Sequence, residues 1–317
     1  MTRDTPELVT AGETMALLSP PEPGPLRHAR SLDLRVGGAE SNLAIGAARL
    51  GVRAAWIGRV GDDELGRLVR STLAGEGVDV SHAVTDPAAP TGLMLKERRA
   101  AGVTRVTYYR AGSAGSRLEP ADIDPELIAS ARVLHVTGIT PALSESARDA
   151  VRLAVEAARA AGVAVSVDFN YRARLWPADA AAKELRRLAE AADVLFATED
   201  EARLVVDAPG AEGLAGALSA LGPAEVLIKR GGRGAVAYAQ GTVHEVPPYP
   251  VDVVDPVGAG DAFGAAYLAE LVRGRPVPER LRTAALAGAL AVTVPGDWEG
   301  LPTRDDLDLI AGGDVRR

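Results

Sequence analysis

Along the chain, short apolar runs alternate with longer Ala-, Leu- and Arg-rich stretches of helical period. The pattern predicts strands at Leu8–Gly12, Ala54–Gly58, Val133–Thr137, Val163–Asp168, Val194–Ala197 and Val226–Lys229. Between them it predicts helices at Ser41–Leu50, Leu65–Glu76, Ser144–Ala160, Ala180–Ala192 and Gly213–Leu221. Strand-length apolar runs separated by helices are the signature of an α/β fold, a mainly parallel sheet covered by helices. Several strands stop at a polar residue, as Val165-Ser166-Val167-Asp168 does. In such sheets the carboxyl ends of the strands border the ligand crevice, so those positions are the first to read for function.

Two segments break the alternation. Glu13 to Arg35 is proline-rich and lacks a helical period, while Thr91–Glu97 and Thr104–Ala111 read as strands joined by a polar loop with Ala101-Gly102. Together they make either a small β element outside the main sheet or a long surface loop plus a hairpin.

Composition narrows the function classes. With 317 residues the chain can bury a sizeable core, and with 35 Lys+Arg against 43 Asp+Glu its net charge is −8. That balance argues against nucleic acid as a partner, which calls for a basic face. No run approaches the ~18 uninterrupted apolar residues of a membrane span, and Met1 to Leu8 shows no basic segment followed by an apolar core. The absence of cysteine excludes disulfides and thiolate nucleophiles. The four histidines, His28, His82, His135 and His244, lack metal-ligand spacing. The expectation is a cytoplasmic globular protein.

The richest segment is Val253-Val254-Asp255-Pro256-Val257-Gly258-Ala259-Gly260-Asp261-Ala262-Phe263. A proline turn leads into small residues and then an apolar helical run through Ala265, Leu268 and Leu271. Backbone N–H groups of Gly258, Ala259 and Gly260, at a helix N-terminus, suit phosphate charge. Asp261, in the first turn, either satisfies the helix end or accepts the proton of an attacking hydroxyl. Phosphoryl transfer needs that pairing of a base with fixed donors. The chain contains no G-x-x-x-x-G-K-[ST], and the segment does not complete G-x-G-x-x-G. A P-loop mechanism is thereby excluded and a Rossmann dehydrogenase disfavoured.

This segment resembles the C-terminal signature of the ribokinase-like (PfkB) carbohydrate kinases. A second family feature stands at Gly37-Gly38-Ala39-Glu40-Ser41-Asn42-Leu43-Ala44, followed by Leu50-Gly51 and Gly58-Arg59-Val60-Gly61-Asp62-Asp63. The resemblance spans the chain and implies a doubly wound α/β domain (1–13, 36–90 and 118–317) with a small β-sheet lid (14–35 and 91–117). It implies Asp261 as base, Gly258, Ala259 and Gly260 as anion hole, and Gly37, Gly38 and Asn42 against the sugar; Asn42 otherwise reads as a helix cap. Lys229, one of three lysines, precedes Gly231-Gly232-Arg233-Gly234 and resembles the family's ATP-site strand and glycine turn. A solvated turn lysine is the other reading. Thr198-Glu199-Asp200-Glu201 stands where the family has Asn-x-x-Glu, whose Glu organises Mg²⁺; Glu201 matches, but Thr198 replaces the Asn. Members also hold a monovalent cation such as K⁺ beside the anion hole, which would involve Asp255. A homo-oligomer formed through the lid is implied as well.

Two segments bear on the substrate. Alternate residues of an extended segment share a face, which pairs Tyr108 with Arg110, and Asp168 with Asn170 and Arg172. Two arginines converging on a crevice suit a carboxylate, unless both are simply surface charges. The pattern resembles 2-keto-3-deoxygluconate kinases, which implies ATP-dependent phosphorylation of the 6-hydroxyl of that sugar acid. Kinases for fructose, ribose or 5-dehydro-2-deoxygluconate, and a non-catalytic sugar or nucleotide sensor, are the alternatives. Tyr109 and Trp176 read as packing residues.

Overall fold

The computed structural model describes residues 5–99 and 104–312, so the Ala101-Gly102 turn lies outside the described residues. In chain order the strands are β1 Leu8–Ala11, β2 Met15–Ser19, β3 Asp33–Gly37, β4 Ala54–Ile57, β5 Arg59–Gly61, β6 Val84–Asp86 and β7 Leu93–Arg98. They continue as β8 Thr104–Tyr109, β9 Val133–Thr137, β10 Ala164–Asp168, β11 Val194–Thr198, β12 Glu225–Lys229, β13 Ala235–Ala239 and β14 Thr242–Val246. The helices are α1 Ala39–Arg49, α2 Glu64–Gly75, α3 Pro125–Ser130, α4 Glu145–Ala161, α5 Ala178–Ala191, α6 Glu199–Ala202, α7 Gly210–Ser219, α8 Ala259–Val272, α9 Val277–Ala291 and α10 Arg304–Gly312.

The main sheet has eight strands in the order β14-β13-β12-β11-β10-β9-β1-β4. It is parallel from β4 to β12 and closes with the antiparallel β13 and β14. The period of two sorts each strand between two cores. Val165, Val167, Leu195 and Ile228 pack with α4, α5 and α7 on one face. Phe196 and Leu227 pack with α1, α8 and α9 on the other. From β1 the chain runs outward to β4 and later re-enters on the opposite side of β1 as β9. That reversal opens a crevice at the carboxyl ends of the strands.

Helix α8 is buried nearly all round, with Phe263 and Tyr267 set edge-on to Phe196 at centroid distances of 6.2 and 5.7 Å. A helix so enclosed holds its N-terminus in one place. Each of the six expected main-sheet strands is present. β13, β14 and α9 were not expected; Ala-Val-Ala-Tyr-Ala reads weakly as a strand because alanine has little β propensity.

A separate four-stranded sheet runs β3-β2-β7-β8, with Met15, Leu17 and Met94 as its small core. The Pro-rich segment therefore supplies two strands, and β3 continues to Gly37, past the expected boundary at Arg35. Trp176 is buried as expected, but Tyr109 is 60 % exposed and joins no core cluster among the described residues.

Candidate active site

The N-terminus of α8 opens into a cavity of about 840 Å³ between the main sheet and the small one. Gly258 begins the helix with φ +83°, a left-handed value suited to glycine. Its back lies against the Asp297 carbonyl, which an added Cβ would meet at 2.0 Å. The first intrahelical bond runs from Ala262 N to Gly258 O at 2.8 Å. The N–H groups of Ala259, Gly260 and Asp261 precede that ladder and lie at the cavity wall, where the positive end of the helix favours an anion.

Asp261 stands in the first turn and accepts a 2.8 Å hydrogen bond from Asn42 Nδ2 at its Oδ2. Asn42 thus holds the carboxylate rather than acting only as a helix cap. Burial pushes the Asp261 pKa up to about 7; the Asn42 bond and the charges of Lys229 and Arg172 oppose the rise, and Asp168 adds to it. A carboxylate poised near neutrality is a competent base once deprotonated. We expect kcat/KM to increase with pH through an apparent pKa near 7, because the protonated form below it accepts nothing. Initial rates across that range check this; a profile flat down to about pH 5, as an unperturbed aspartate would give, refutes it.

Lys229, the last residue of β12, reaches Asp168 Oδ2 at 2.6 Å across the carboxyl ends of the strands. Burial works against its ammonium, but Asp168, Glu201 and Asp261 outweigh that and hold its pKa above the ordinary value. Its Nζ would lie 3.3 Å from a Cβ placed on Gly260, so the charge sits beside the helix N-terminus and not in solvated coil.

On the far side of Lys229, Thr198 caps α6 in a closed box: its Oγ1 accepts from Glu201 N, and Glu201 Oε2 accepts from Thr198 N at 2.8 Å. Glu201 Oε1 also accepts from Tyr171 N at 2.9 Å. The structure thus gives Thr198 a defined capping role where the family has Asn. Gly231 (φ +56°) and Gly234 (φ +80°) turn the chain at the same rim. Tyr249, Val251, Ala289 and Val292, not anticipated from the sequence, add an apolar wall. Among the described residues no cluster of three or more His, Asp or Glu side chains forms a metal cage. Mg²⁺ does not need one, since it is commonly held by one or two carboxylates plus substrate phosphates. The fit is favourable: Asp168 Oδ1 is buried at the cavity without a hydrogen-bond partner, and Glu201 retains lone pairs beyond its two backbone bonds.

The opposite wall comes from the small sheet. Gly37 and Gly38 line it, and a Cβ on Gly38 would meet the Glu13 carbonyl at 2.3 Å. Tyr108 and Arg110 both face the cavity, with the guanidinium 5.2 Å from the ring centroid. Arg110, expected to meet the substrate, is paired with Glu13. Its Nε donates to Glu13 Oε2 at 2.7 Å, and Nη2 meets the same buried carboxylate. Strand β10 ends at Asp168 and Asn170 has φ +39°, so strand alternation does not extend to Arg172. Asp168, Asn170 and Arg172 nevertheless all line the cavity, because the loop folds over the strand end. Arg172 is exposed; its backbone carbonyl accepts from Leu175 N at 2.9 Å, but its guanidinium makes no hydrogen bond or ion pair among the described residues.

Comparison with known proteins matches residues 5–304 to the pfkB family carbohydrate kinases. The chain belongs to that family. It is 39 % identical to the 2-dehydro-3-deoxygalactonokinase of Haloferax volcanii over 98 % of both chains. With the 2-dehydro-3-deoxygluconokinase of Thermoproteus tenax it shares 40 % over 93 % of this chain and 91 % of that one. Among solved structures, an Escherichia coli protein in complex with ATP and Mg²⁺ superposes with a TM-score of 0.90 at 27 % identity, covering 98 % of this chain and 100 % of the other.

In this pfkB kinase the residue expected beside a monovalent cation has a different neighbour. Asp255 Oδ2 lies 2.7 Å from Lys96 Nζ, and its carboxylate also accepts from Val257 N and Gly296 N. Unlike Asp168, which keeps Oδ1 without a partner, Asp255 has both oxygens engaged, Oδ2 by the ammonium and Gly296 N and Oδ1 by Val257 N, so it does not fit a monovalent metal ion as the structure stands. Glu13, Lys96 and Asp297 were not anticipated. The only trace in the sequence is that Lys96 is one of three lysines in an arginine-rich chain.

Proposed function

We propose that the protein phosphorylates a sugar acid with ATP, namely 2-dehydro-3-deoxy-D-gluconate at its 6-hydroxyl, with Asp261 as the base. The hydroxyl oxygen bonds to the γ-phosphorus as the bond to the ADP oxygen breaks, and the hydroxyl proton passes to the Asp261 carboxylate. The N–H groups of Ala259, Gly260 and Asp261 hold the charge of the transferred group, and Lys229 faces the same space. Asp168 and Glu201 would hold Mg²⁺ together with the phosphates, and the ion would supply neutralisation of phosphate charge there. The observation that carries this reading is the placement of Asp261, tied to Asn42 and lifted to a pKa of about 7, on the same cavity as a free helix N-terminus.

Arg172 favours an acid over a neutral sugar. Among the described residues its guanidinium has no hydrogen-bond or ion-pair partner, whereas the Arg110 charge is matched by Glu13. We expect Arg172→Ala to raise KM for the acid roughly 10- to 100-fold, the loss of a charge-assisted hydrogen bond, with little effect on fructose. An equal effect on both substrates removes the carboxylate assignment. Coupled ADP-release assays with 2-dehydro-3-deoxygluconate, its galactonate epimer, fructose and ribose test the reaction itself. A preference for either neutral sugar overturns the sugar-acid reading. The epimer is included because the relatives bear both names.

A further inference from the structure

Lys96 belongs to β7 in the small sheet, yet its ammonium ends beneath the α8 N-terminus. Its Nζ lies 2.7 Å from Asp255 Oδ2, 2.7 Å from Asp297 Oδ1 and 3.3 Å from the Gly296 carbonyl. The Lys96 side chain is 3 % exposed, that of Asp255 1 % and that of Asp297 9 %. Both carboxylates belong to the wall of the hole: Asp255 leads into Gly258, and the Asp297 carbonyl is the surface on which Gly258 packs. Oxygen donors from two carboxylates and one carbonyl, closed to water, make the kind of cage a hard cation would occupy. Here the cation is part of the chain.

We propose that the Lys96 ammonium is the built-in cation of the anion hole, so that this kinase needs no monovalent metal ion beside Asp255. The inference rests on the reading that the Gly258–Asp261 turn binds the transferred phosphoryl group. Two buried carboxylates facing each other repel, and a cation between them offsets that repulsion. A lysine supplies one that never has to be captured from solution or dehydrated on each turnover. The residue type fits as well. The three N–H donors of an ammonium match three acceptors, whereas a planar guanidinium would not close on them. Of the three lysines in the chain, Lys96 and Lys229 both line this cavity, while arginine does the basic work elsewhere. Lys96 acts here as a positioning residue, through Asp255 and Asp297 on the hole.

The test compares rates and thermal midpoints in KCl, NaCl and tetramethylammonium chloride at equal ionic strength. The unmodified enzyme should show the same kcat within about twofold and the same midpoint in all three. Lys96→Ala should lose about tenfold in kcat in tetramethylammonium, with KM for ATP little changed, and recover several-fold with K⁺ or methylammonium. Lys96→Met, which fills the site without charge, should stay low in every salt. Activation or K⁺-specific stabilisation of the unmodified enzyme overturns the inference, as does full kcat in Lys96→Met. Should neither variant fold, the salt comparison on the unmodified enzyme still decides. Because the midpoint needs no turnover, an enzyme that phosphorylates no sugar yet shows no K⁺ response would sink the kinase reading alone.

Discussion

Asp261→Asn is expected to lower kcat by about three orders of magnitude, the middle to upper range for removing a general base. The substitution exchanges one carboxylate oxygen for an amide and leaves the side chain the same size. The Asn42 Nδ2 donor, 2.8 Å away, can still be accepted by the amide oxygen, so the helix start and the cavity keep their shape. What disappears is basicity. Sugar and nucleotide binding, measured by titration calorimetry, should therefore stay within a few-fold of the unmodified enzyme. The pH limb near 7 should vanish from whatever activity remains. Thermal stability near pH 8 should not fall, because an ionised carboxylate that burial disfavours is replaced by a neutral group. A variant with more than about a tenth of normal kcat would remove Asp261 from the role of base.

Lys229→Met is expected to cost about two orders of magnitude in kcat, comparable with removing one fixed donor from an anion hole. The ammonium sits beside Gly260 and is paired with Asp168 at 2.6 Å, so its loss acts in two places. Phosphoryl charge loses a neighbouring cation, and Asp168 is left as a buried carboxylate without its partner, which lowers stability. A third effect separates this from simple damage. Lys229 is one of the charges that hold the Asp261 pKa down, so without it the acid limb of the rate profile should move to higher pH. A variant that is merely less stable, with an unshifted limb, would place Lys229 outside the reacting centre.

The helix start at Gly258 was legible because it is local. Gly258-Ala259-Gly260-Asp261 lie in one turn, and small residues followed by an apolar helix state both where the N–H groups are and what holds them. Thr198 and Glu201 were singled out by resemblance alone, although the capping box they form is written within four consecutive residues. Arg110 shows the limit. Its strand alternation put it on the cavity side, but nothing in the spacing announced that Glu13, 97 residues away in the chain, would take up its charge. Asn42 and Asp261, separated by 219 residues, are likewise joined only through the packing of α1 on α8.

By itself, then, the sequence determined the alternating α/β architecture and the helix start that sets Gly258, Ala259, Gly260 and Asp261 in one turn, since periodicity, glycine and helix polarity are properties of neighbouring residues. The tertiary structure alone decided which charges are spent and which are free. Glu13 neutralises Arg110, Lys96 closes on Asp255 and Asp297, and the Arg172 guanidinium has no partner among the described residues. Pairing of that kind depends on distance and on exclusion of water, and both come from the way the two sheets and α8 meet.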